Sequence, residues 1–384
     1  MKRILFIIPS LLVGGTTTSL SALYSFIRWY YQIDVFVMAH DTSWDDRVFS
    51  NAIIGKNRTI HAYNCNYKAS KSSSFLESFY ILVVKLLKRL SLCIHWDFEG
   101  IIYRRFAAKA RGKYDIVVGY QEGASTRLAS CFLTSKKIAW IHCDYRRYGE
   151  KNNDIYYYPK FDDIVCVSKF TTEVFRELFP ELASKVKCVY NLLDYTSIRK
   201  ASSVTVDDNR FCNDKFTILS VGRVCDVKRF DQIPSIAKGL LDKGVAFRWY
   251  VVGPSVDNSL SILLDQVTKY ELEDVVIYLG NKSNPYPYFK RSNLLVSLSV
   301  SEACPMVFNE ARVLELPVVS TDFNSAYEFI ETGVDGIITQ LGKMGDTLYD
   351  IISEPEIYNK LKTNVSRKIY NDDAVLSSLD ELFT

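Results

Sequence analysis

The stretch FTILSVGRVCDVKRFD, residues 216–231, shows a pattern that recurs along the chain. A short apolar run, Phe216–Val221, ends at Gly222, and a segment with helical periodicity follows. Eleven further runs have the same setting, at Ile4–Ile8, Asp34–Met38, Tyr114–Tyr120, Lys137–His142, Ile164–Ser168, Lys187–Tyr190, Phe247–Val252, Val275–Leu279, Leu294–Leu298, Pro317–Ser320 and Gly336–Thr339. Continuous apolar strands that alternate with helices are typical of parallel sheets covered on both faces. The sequence therefore predicts an α/β protein with two doubly wound domains.

The domain boundary is predicted from the place where this rhythm lapses. At 384 residues the chain is too long for one typical core. Residues 201–214, ASSVTVDDNRFCND, are polar and have no helical periodicity, so we interpret them as a linker. We expect an N-terminal domain over 1–200, a C-terminal domain over 215–360 and a final helical segment over 361–384.

The net charge of +3 hides an asymmetry between the two halves. Residues 1–200 hold 29 Lys+Arg against 18 Asp+Glu, a net of +11, and residues 201–384 hold 18 against 26, a net of −8. A basic half beside an acidic half indicates different partners for the two halves. Uneven surface charge with no partner is the alternative. No recognised nucleic-acid-binding module is present, so we do not expect a nucleic-acid partner.

Cysteine usage and hydropathy predict a cytoplasmic protein. The nine cysteines are scattered and form no C-x-x-C pair, which favours a reduced protein without structural zinc. The apolar run Ile4–Pro9 is too short for a signal peptide. No apolar run reaches the roughly 18 residues that a membrane-spanning helix needs. We therefore expect a chain that does not cross a bilayer.

Residues 75–113 are helical in composition and strongly basic. Apolar side chains recur at near-helical spacing, at Phe75, Phe79, Leu82, Leu86, Leu90 and Ile94. Basic side chains interleave with them, at Lys85, Lys88, Arg89, Arg104, Arg105, Lys109, Arg111 and Lys113. A basic amphipathic helix can lie on an anionic membrane surface. The alternative is that the apolar face belongs to the core and the basic side chains are solvated.

A Gly-Gly turn directly after the first strand is a candidate phosphate site. It lies in LLVGGTTTSLSAL, residues 11–23, where Gly14 and Gly15 allow the backbone to approach a ligand. We expect Thr16–Thr18 to cap the helix that follows, whose N-terminus would offer N–H groups to a phosphate. The third glycine of the dinucleotide fingerprint is missing. A purely structural turn fits the same residues.

The turn after Phe216–Val221 carries two cations, Arg223 and Lys228. Ligands of open parallel sheets bind at the carboxyl ends of strands. An arginine that forks a phosphate and a lysine that meets it as a point charge suit a diphosphate. Solvated surface cations are the alternative interpretation.

A third candidate site is VSEACPMVFNEARVLELPVVSTDF, residues 300–323. We expect a helix to begin near Pro305, whose position leaves N–H groups around Cys304–Val307 available to a phosphate or to sugar hydroxyls. Glu302 precedes this helix and Glu310 lies within it, so both carboxylates can line one cleft and accept hydroxyl hydrogen bonds. Alternatively, Glu302 is a cap and Glu310 a solvated helix residue.

In this order the three segments resemble glycosyltransferase family 4, retaining enzymes with the GT-B fold. The specific part is the pair of motifs E-x7-E, from Glu302 to Glu310, and G-R-x4-K, from Gly222 to Lys228. Four further segments are similar, namely AWIHCDY (139–145), DIVCVS (163–168), VYNLLD (189–194) and EFIETGVDG (328–336).

The resemblance implies two Rossmann-like domains facing across a cleft, with the final helix returning to the N-terminal domain. It implies that Arg223 and Lys228 grip the donor diphosphate, that Glu302 binds donor-sugar hydroxyls, and that Glu310 holds the ribose hydroxyls. His142 would lie near the donor sugar. The remaining donor-site residues that it implies are Gly14, Gly15, Thr16, Gly222, Gly280, Asn281, Ala303, Cys304, Pro305, Met306 and Val307. Glu122 and Asp144 are acceptor-side hypotheses.

The implied reaction moves a sugar with retention from a nucleoside-diphosphate sugar, a UDP-sugar being favoured, to a glycan or lipid-linked saccharide. The product would be capsule, O-antigen or exopolysaccharide, made at the inner face of the plasma membrane. No D-x-D triplet occurs and cations are already present, so we expect neither a metal nor a cofactor. Thr16–Thr18 and Ala303 depart from the family pattern and leave the donor sugar open. A non-hydrolysing sugar-nucleotide epimerase or a non-catalytic sugar-nucleotide-binding subunit are the alternatives.

Overall fold

The computed structural model describes residues 1–11, 14–39, 60, 75–93, 97–148, 154–206, 208–367 and 372–384. The chain divides into two compact units, the first comprising Met1–Leu192 with Asp373–Thr384 and the second Leu193–Asp372. In each unit the described strands form one six-stranded parallel sheet flanked by helices. The predicted α/β class is confirmed.

The sheet of the first unit has the strand order β2-β1-β3-β4-β5-β6. Its strands are β1 (Arg3–Ile8), β2 (Gln32–Val37), β3 (Ile116–Gly119), β4 (Lys136–Ile141), β5 (Asp163–Cys166) and β6 (Val186–Cys188). The helices described in this part are α1 (Gly15–Ile27), α2 (Phe75–Cys93), α3 (Phe98–Lys109), α4 (Ala124–Ser130) and α5 (Lys169–Leu178). Apolar side chains of the strands fill the core on both faces, which is why the strands have no polar side in the sequence.

The sheet of the second unit has the strand order β12-β11-β10-β7-β8-β9. Its strands are β7 (Phe216–Val221), β8 (Phe247–Val252), β9 (Val276–Gly280), β10 (Leu294–Ser297), β11 (Val318–Thr321) and β12 (Gly336–Thr339). Its helices are α6 (Tyr195–Ser202), α7 (Ile233–Asp242), α8 (Ser259–Lys269), α9 (Tyr286–Arg291), α10 (Met306–Val313), α11 (Ala326–Phe329), α12 (Met344–Ser353) and α13 (Pro355–Arg367). All twelve predicted strands are present, with ends displaced by at most three residues.

The division between the units lies at Leu192–Leu193 rather than in the polar segment 201–214. The C-terminal half of that segment contacts the second unit. Arg210 Nη1 donates a hydrogen bond to Tyr278 O at 3.1 Å, and the Phe211 ring lies 4.6 Å from that of Tyr250. The segment is polar because it runs beside the edge strand β9, where its side chains meet backbone carbonyls and solvent. Residue 207 of the interpreted linker lies outside the described residues.

The C-terminal part of the chain contains two helices where one helical segment, 361–384, was predicted. α13 belongs to the second unit, and the last helix, α14 (Asp373–Phe383), belongs to the first. The Phe383 ring lies 6.3 Å from Phe6 and 5.6 Å from Tyr31, and Lys2 Nζ donates to Phe383 O at 3.2 Å. Residues 368–371 lie outside the described part of the chain. Among the described helices, none has the length and apolar character needed to cross a bilayer.

Phe383 is expected to stabilise the first unit, because its side chain is only 1% exposed. Replacing it in Phe383→Ala should lower the free energy of unfolding by about 3–5 kcal/mol, the usual cost of removing a buried phenylalanine. Urea unfolding would measure the change. Glu381→Ala, an exposed position on the same helix, is the control and should change stability by less than about 0.5 kcal/mol. Equal effects of the two substitutions would contradict the packing of α14.

Candidate active site

The strand order of the second unit reverses between β7 and β10. From β7 the chain moves outward to β8 and β9, and after returning to β10 it moves the other way to β11 and β12. The connections that leave β7 and β10 therefore part at their carboxyl ends and open a crevice, which is where ligands bind in sheets of this kind. The two connections meet there, since Val300 N donates to Val227 O at 2.9 Å.

Close contact between two glycines shapes one side of this crevice. Gly222 (φ 151°) follows β7 and Gly253 (φ 147°) follows β8. A Cβ at Gly253 would lie 1.8 Å from Gly222 O, so only glycine fits there. A hydrogen bond also joins the two turns, because Val224 N donates to Pro254 O at 2.8 Å. Gly253 was not among the predicted site residues, although its position after a strand was a signal for it.

Lys228 and Glu302 form an ion pair in the crevice. Glu302 Oε1 also accepts a hydrogen bond from Ser299 Oγ at 2.8 Å, and Ser325 Oγ donates to the backbone carbonyl of Glu302 at 2.6 Å. Both side chains of the pair are mostly buried, at 16% and 18% exposure. The carboxylate is therefore oriented by one cation and one hydroxyl, and a second hydroxyl holds the backbone of Glu302. Arg223 is exposed and forms no ion pair within the described part of the chain.

Glu310 is a buried acid on α10, with 7% exposure, so the alternative of a solvated helix residue is wrong. Its Oε1 accepts a hydrogen bond from the Tyr286 hydroxyl at 3.1 Å. Burial raises the pKa of Glu310 to about 7, although the Tyr286 hydroxyl and the charge of Lys228 act in the opposite direction. Neither Ser299 nor Tyr286 was predicted as a site residue, and the sequence around Tyr286 contained no signal for it.

The N-terminus of α10 lies at the end of the connection that leaves β10. The helix begins at Met306 after Pro305, and no side chain caps this end. Phe308 N donates to Pro305 O at 3.0 Å, which leaves the N–H groups of Met306 and Val307 outside the helical ladder. Ala303 is buried and Cys304 is half-buried beside them. This end of α10 supplies N–H donors and the positive end of the helix dipole.

Gly280 is the last residue of the edge strand β9, and Asn281 follows it. Gly280 has φ 81° and its carbonyl accepts a hydrogen bond from Gly253 N at 3.0 Å, so this turn adjoins the one after β8. Asn281 is exposed. The next residue, Lys282, is bound by Asp208 at 2.8 Å and lies over the Tyr288 ring at 5.7 Å.

In the first unit, α1 begins at Gly15, with Gly14 as its N-cap and no capping side chain. The expectation that Thr16–Thr18 cap this helix is wrong. Gly14 is extended, at φ 168°, and Thr18 N already donates to Gly14 O at 3.1 Å, so the threonines lie in the first turn. The first N–H groups of α1 follow the carboxyl end of β1, next to β3 where the strand order of this sheet reverses.

His142 and Glu122 lie together at the carboxyl ends of β4 and β3. His142 N donates to Glu122 Oε2 at 2.9 Å, and the imidazole lies 4.8 Å from the Tyr120 ring. His142 Nε2 is buried and has no hydrogen-bond partner within the described part of the chain. Burial lowers the pKa of His142 to about 3 and raises that of Glu122. The imidazole is therefore neutral near pH 7 and can donate or accept one hydrogen bond.

Asp144 lies in a turn, where its Oδ1 accepts a hydrogen bond from Arg146 N at 3.1 Å.

The predicted residues form two groups, each within one unit. In the second unit Lys228 pairs with Glu302 and its charge acts on Glu310, and in the first unit His142 contacts Glu122. Among the described residues, no cluster of three or more His, Cys, Asp or Glu side chains could hold a metal ion.

Residues 205–368 match the family model described as glycosyl transferases group 1. The match covers 164 of the chain's 384 residues, in its C-terminal part. The resemblance predicted from the E-x7-E and G-R-x4-K motifs is confirmed, and both motifs lie within the matched residues.

Two relatives and one solved structure illustrate what this chain is similar to. An uncharacterized glycosyltransferase of Methanocaldococcus jannaschii is 26% identical over 170 residues, 44% of this chain and 41% of that protein. The N-acetylgalactosamine-N,N'-diacetylbacillosaminyl-diphospho-undecaprenol 4-alpha-N-acetylgalactosaminyltransferase of Campylobacter jejuni is 24% identical over 380 residues, 97% of this chain and 94% of the enzyme. The crystal structure of Anabaena HepE in complex with UDP has a TM-score of 0.72 at 14% identity, covering 100% of this chain and 99% of that one. The fold of this chain is GT-B.

The contact between Gly253 and Gly222 gives a test of the crevice. Gly253→Ala should unfold or displace the turn after β7, because its Cβ would overlap Gly222 O, and we expect a stability loss above about 2 kcal/mol. Gly239→Ala is the matched control, since this helical glycine has nothing within 4 Å of the new methyl group and alanine favours helix by about 1 kcal/mol. Urea unfolding would compare them. Similar stability of the two variants would refute the close approach.

Proposed function

We propose that this protein transfers a sugar with retention from a nucleoside-diphosphate sugar, most simply a UDP-sugar, to a hydroxyl of a glycan or lipid-linked saccharide. The observation that carries the proposal is the arrangement of Lys228, Glu302 and Glu310 at the point where the strand order of the second sheet reverses. The likeness to HepE, whose structure holds UDP, supports a uridine nucleotide. The C. jejuni relative, whose name includes a diphospho-undecaprenol acceptor, supports a lipid-linked acceptor in surface-polysaccharide synthesis.

Negative charge develops on the leaving diphosphate during such a transfer. Arg223, Lys228 and the first N–H groups of α10 are donors at one crevice that can stabilise this charge in the transition state. Because Lys228 already pairs with Glu302, the lysine would be shared between the carboxylate and the phosphate. These groups supply the positive charge that a metal ion supplies in other transferases, so we propose a reaction without a metal.

Glu302 and Glu310 have different surroundings and therefore different proposed roles. Glu302, oriented by Lys228 and Ser299, would accept hydrogen bonds from donor-sugar hydroxyls, with the backbone from Ala303 to Val307 beside it. Glu310 would accept hydrogen bonds from the ribose hydroxyls. The base would lie by Gly280 and Asn281.

The first unit would supply groups to the sugar and to the acceptor. In this proposal Gly14, Gly15 and Thr16 offer the N–H groups of α1 to the diphosphate. His142 binds the donor sugar as a neutral imidazole, through the nitrogen that has no partner among the described residues. Attack on the same face as the leaving group would let the departing phosphate take the acceptor proton. Glu122, which holds the backbone of His142, is then an indirect acceptor-side residue.

The proposal predicts large losses of activity when the cations are removed. Arg223→Ala and Lys228→Ala should each lower kcat by roughly 30- to 1,000-fold, the range for groups that stabilise transition-state charge. UDP release in the presence of acceptor would measure this, with and without EDTA. Lys238→Ala, an exposed lysine paired with Asp242 on α7, is the control and should retain full activity.

A thermal-shift panel of UDP-, GDP- and ADP-sugars tests the donor directly, because specific binding raises apparent stability. No response to any of them would refute the proposed function. Epimerisation of the donor without an acceptor would favour the epimerase instead. Strict dependence on Mn²⁺ or Mg²⁺ would refute the metal-free mechanism.

We also propose that residues 75–113 bind an anionic bilayer at the inner face of the plasma membrane. Ile81 and Val84 of α2 lie in the core of the first unit. A second row at spacings of three and four residues is exposed, namely Phe79 (57%), Leu82 (58%), Val83 (37%), Leu86 (56%) and Leu90 (48%). Ile94 and the side chain of Phe75 lie outside the described residues. α2 therefore has one apolar face in the core and another on the surface.

The net charge of the same segment suits an anionic surface. Residues 75–113 hold eight Lys+Arg against three Asp+Glu, a net of +5. Arg89 on α2 and Arg105 and Lys109 on α3 are exposed. Apolar side chains at the acyl boundary and cations among the headgroups are the usual arrangement of a helix that lies on a membrane.

Vesicle binding would test this surface. Leu86→Glu should weaken binding to phosphatidylglycerol vesicles by about tenfold or more, because it removes a leucine contact and adds a repelled charge. Leu133→Glu introduces the same charge at a leucine of the same unit that is 70% exposed, and should bind as the wild type does. Sedimentation with anionic and neutral vesicles gives the affinities. Binding that ignores lipid charge, or equal losses in both variants, would rule out this role for α2.

A further inference from the structure

Tyr286 is the polar side chain that holds Glu310 within the described part of the second unit. Its hydroxyl donates to Glu310 Oε1 at 3.1 Å, and Glu310 makes no other side-chain hydrogen bond with described residues. Tyr286 begins α9, and 24 residues separate it from Glu310 in the chain. One carboxylate oxygen is therefore fixed and the other is left for a second donor.

The Tyr286 ring is held in place from two sides. It packs against a cluster formed by Leu193 and Ile198 around α6 and by Met306 and Val313 of α10. Asn284, in the connection before α9, fastens this connection to α6, because its Nδ2 donates to Ala201 O at 2.9 Å and its Oδ1 accepts from Tyr286 N at 3.2 Å. The packing and the backbone hydrogen bond therefore hold the hydroxyl at Glu310.

The charged groups around this contact keep Tyr286 as the donor. Burial, the charge of Glu310 and the charge of Asp194 raise the pKa of Tyr286, so the phenol stays protonated. Two groups face Glu310: the Tyr286 hydroxyl from α9 and the charge of Lys228 from the turn after β7. Lys228 is itself paired with Glu302. Burial raises the pKa of Glu310 to about 7.

We propose that Tyr286 is a positioning residue for nucleotide binding: its hydroxyl holds Glu310 Oε1 so that Oε2 is presented to the vicinal hydroxyls of a ribose. The inference rests on the proposed function, because it assigns the ligand of Glu310 to the donor nucleotide. Tyr286 itself does not contact the ligand. Its contribution is to keep the carboxylate oriented, and ionised, at a buried position.

Isothermal titration of the full-length protein with UDP between pH 6 and pH 9 tests this role. Tyr286→Phe should weaken UDP binding about tenfold at pH 7, a loss expected for one hydrogen bond to a charged group. The phenol stabilises the carboxylate, so its removal raises the pKa of Glu310 and affinity should begin to fall at a higher pH than in the wild type. At pH 9, where Glu310 is ionised in both proteins, the difference should shrink.

Glu310→Gln and Tyr358→Phe are the controls. In the Glu310→Gln background, Tyr286→Phe should add no further shift to the pH profile, because the two residues act as one unit. Tyr358→Phe removes a tyrosine hydroxyl that pairs with Asn293 Nδ2 at 3.3 Å elsewhere in this unit, and should leave UDP affinity unchanged. A wild-type protein that binds no UDP, GDP or ADP would overturn the proposed function and this inference with it. Wild-type binding with an unchanged affinity and pH profile in Tyr286→Phe would overturn this inference alone.

Discussion

Parallel strands with apolar side chains on both faces have to be covered by helices on both sides, and this constraint generates the site. To cover both faces of the second sheet, the chain winds outward from β7 and then outward again in the other direction from β10. The reversal separates two neighbouring connections at their carboxyl ends. Lys228 comes from one of them and Glu302 from the other, so the ion pair between them is a direct consequence of how the sheet is covered.

Two carboxylates of one motif are given different properties by this geometry. Glu302 lies in a connection, where a lysine and a serine hydroxyl compensate its charge. Glu310 lies on α10 with 7% exposure and one phenolic donor, and burial raises its pKa. A buried acid with a single hydrogen bond is costly for the fold, which is consistent with a ligand that supplies the remaining donors.

The first unit repeats the principle with other side chains. The Gly14–Gly15 turn follows β1, and Glu122 follows β3, the two strands between which the order of this sheet reverses. One carboxylate oxygen of Glu122 accepts a hydrogen bond from His142 N, and burial keeps the imidazole neutral. The unit thus carries helix N–H groups and one neutral histidine where the second unit carries cations and carboxylates.

The sequence by itself determined the twelve strands, the α/β class and the resemblance to glycosyltransferases, because these depend on short-range patterns: apolar runs, turn glycines and the spacings of E-x7-E and G-R-x4-K. The tertiary structure decided which of these residues meet. Lys228 and Glu302 are 74 residues apart, and Tyr286 reaches Glu310 through a cluster built from three helices. The need for glycine at position 253 arises from a carbonyl 31 positions earlier, and the assignment of α14 to the first unit arises from Phe383 packing on Phe6. Such contacts depend on how strands are ordered in space, and local periodicity carries no information about that order.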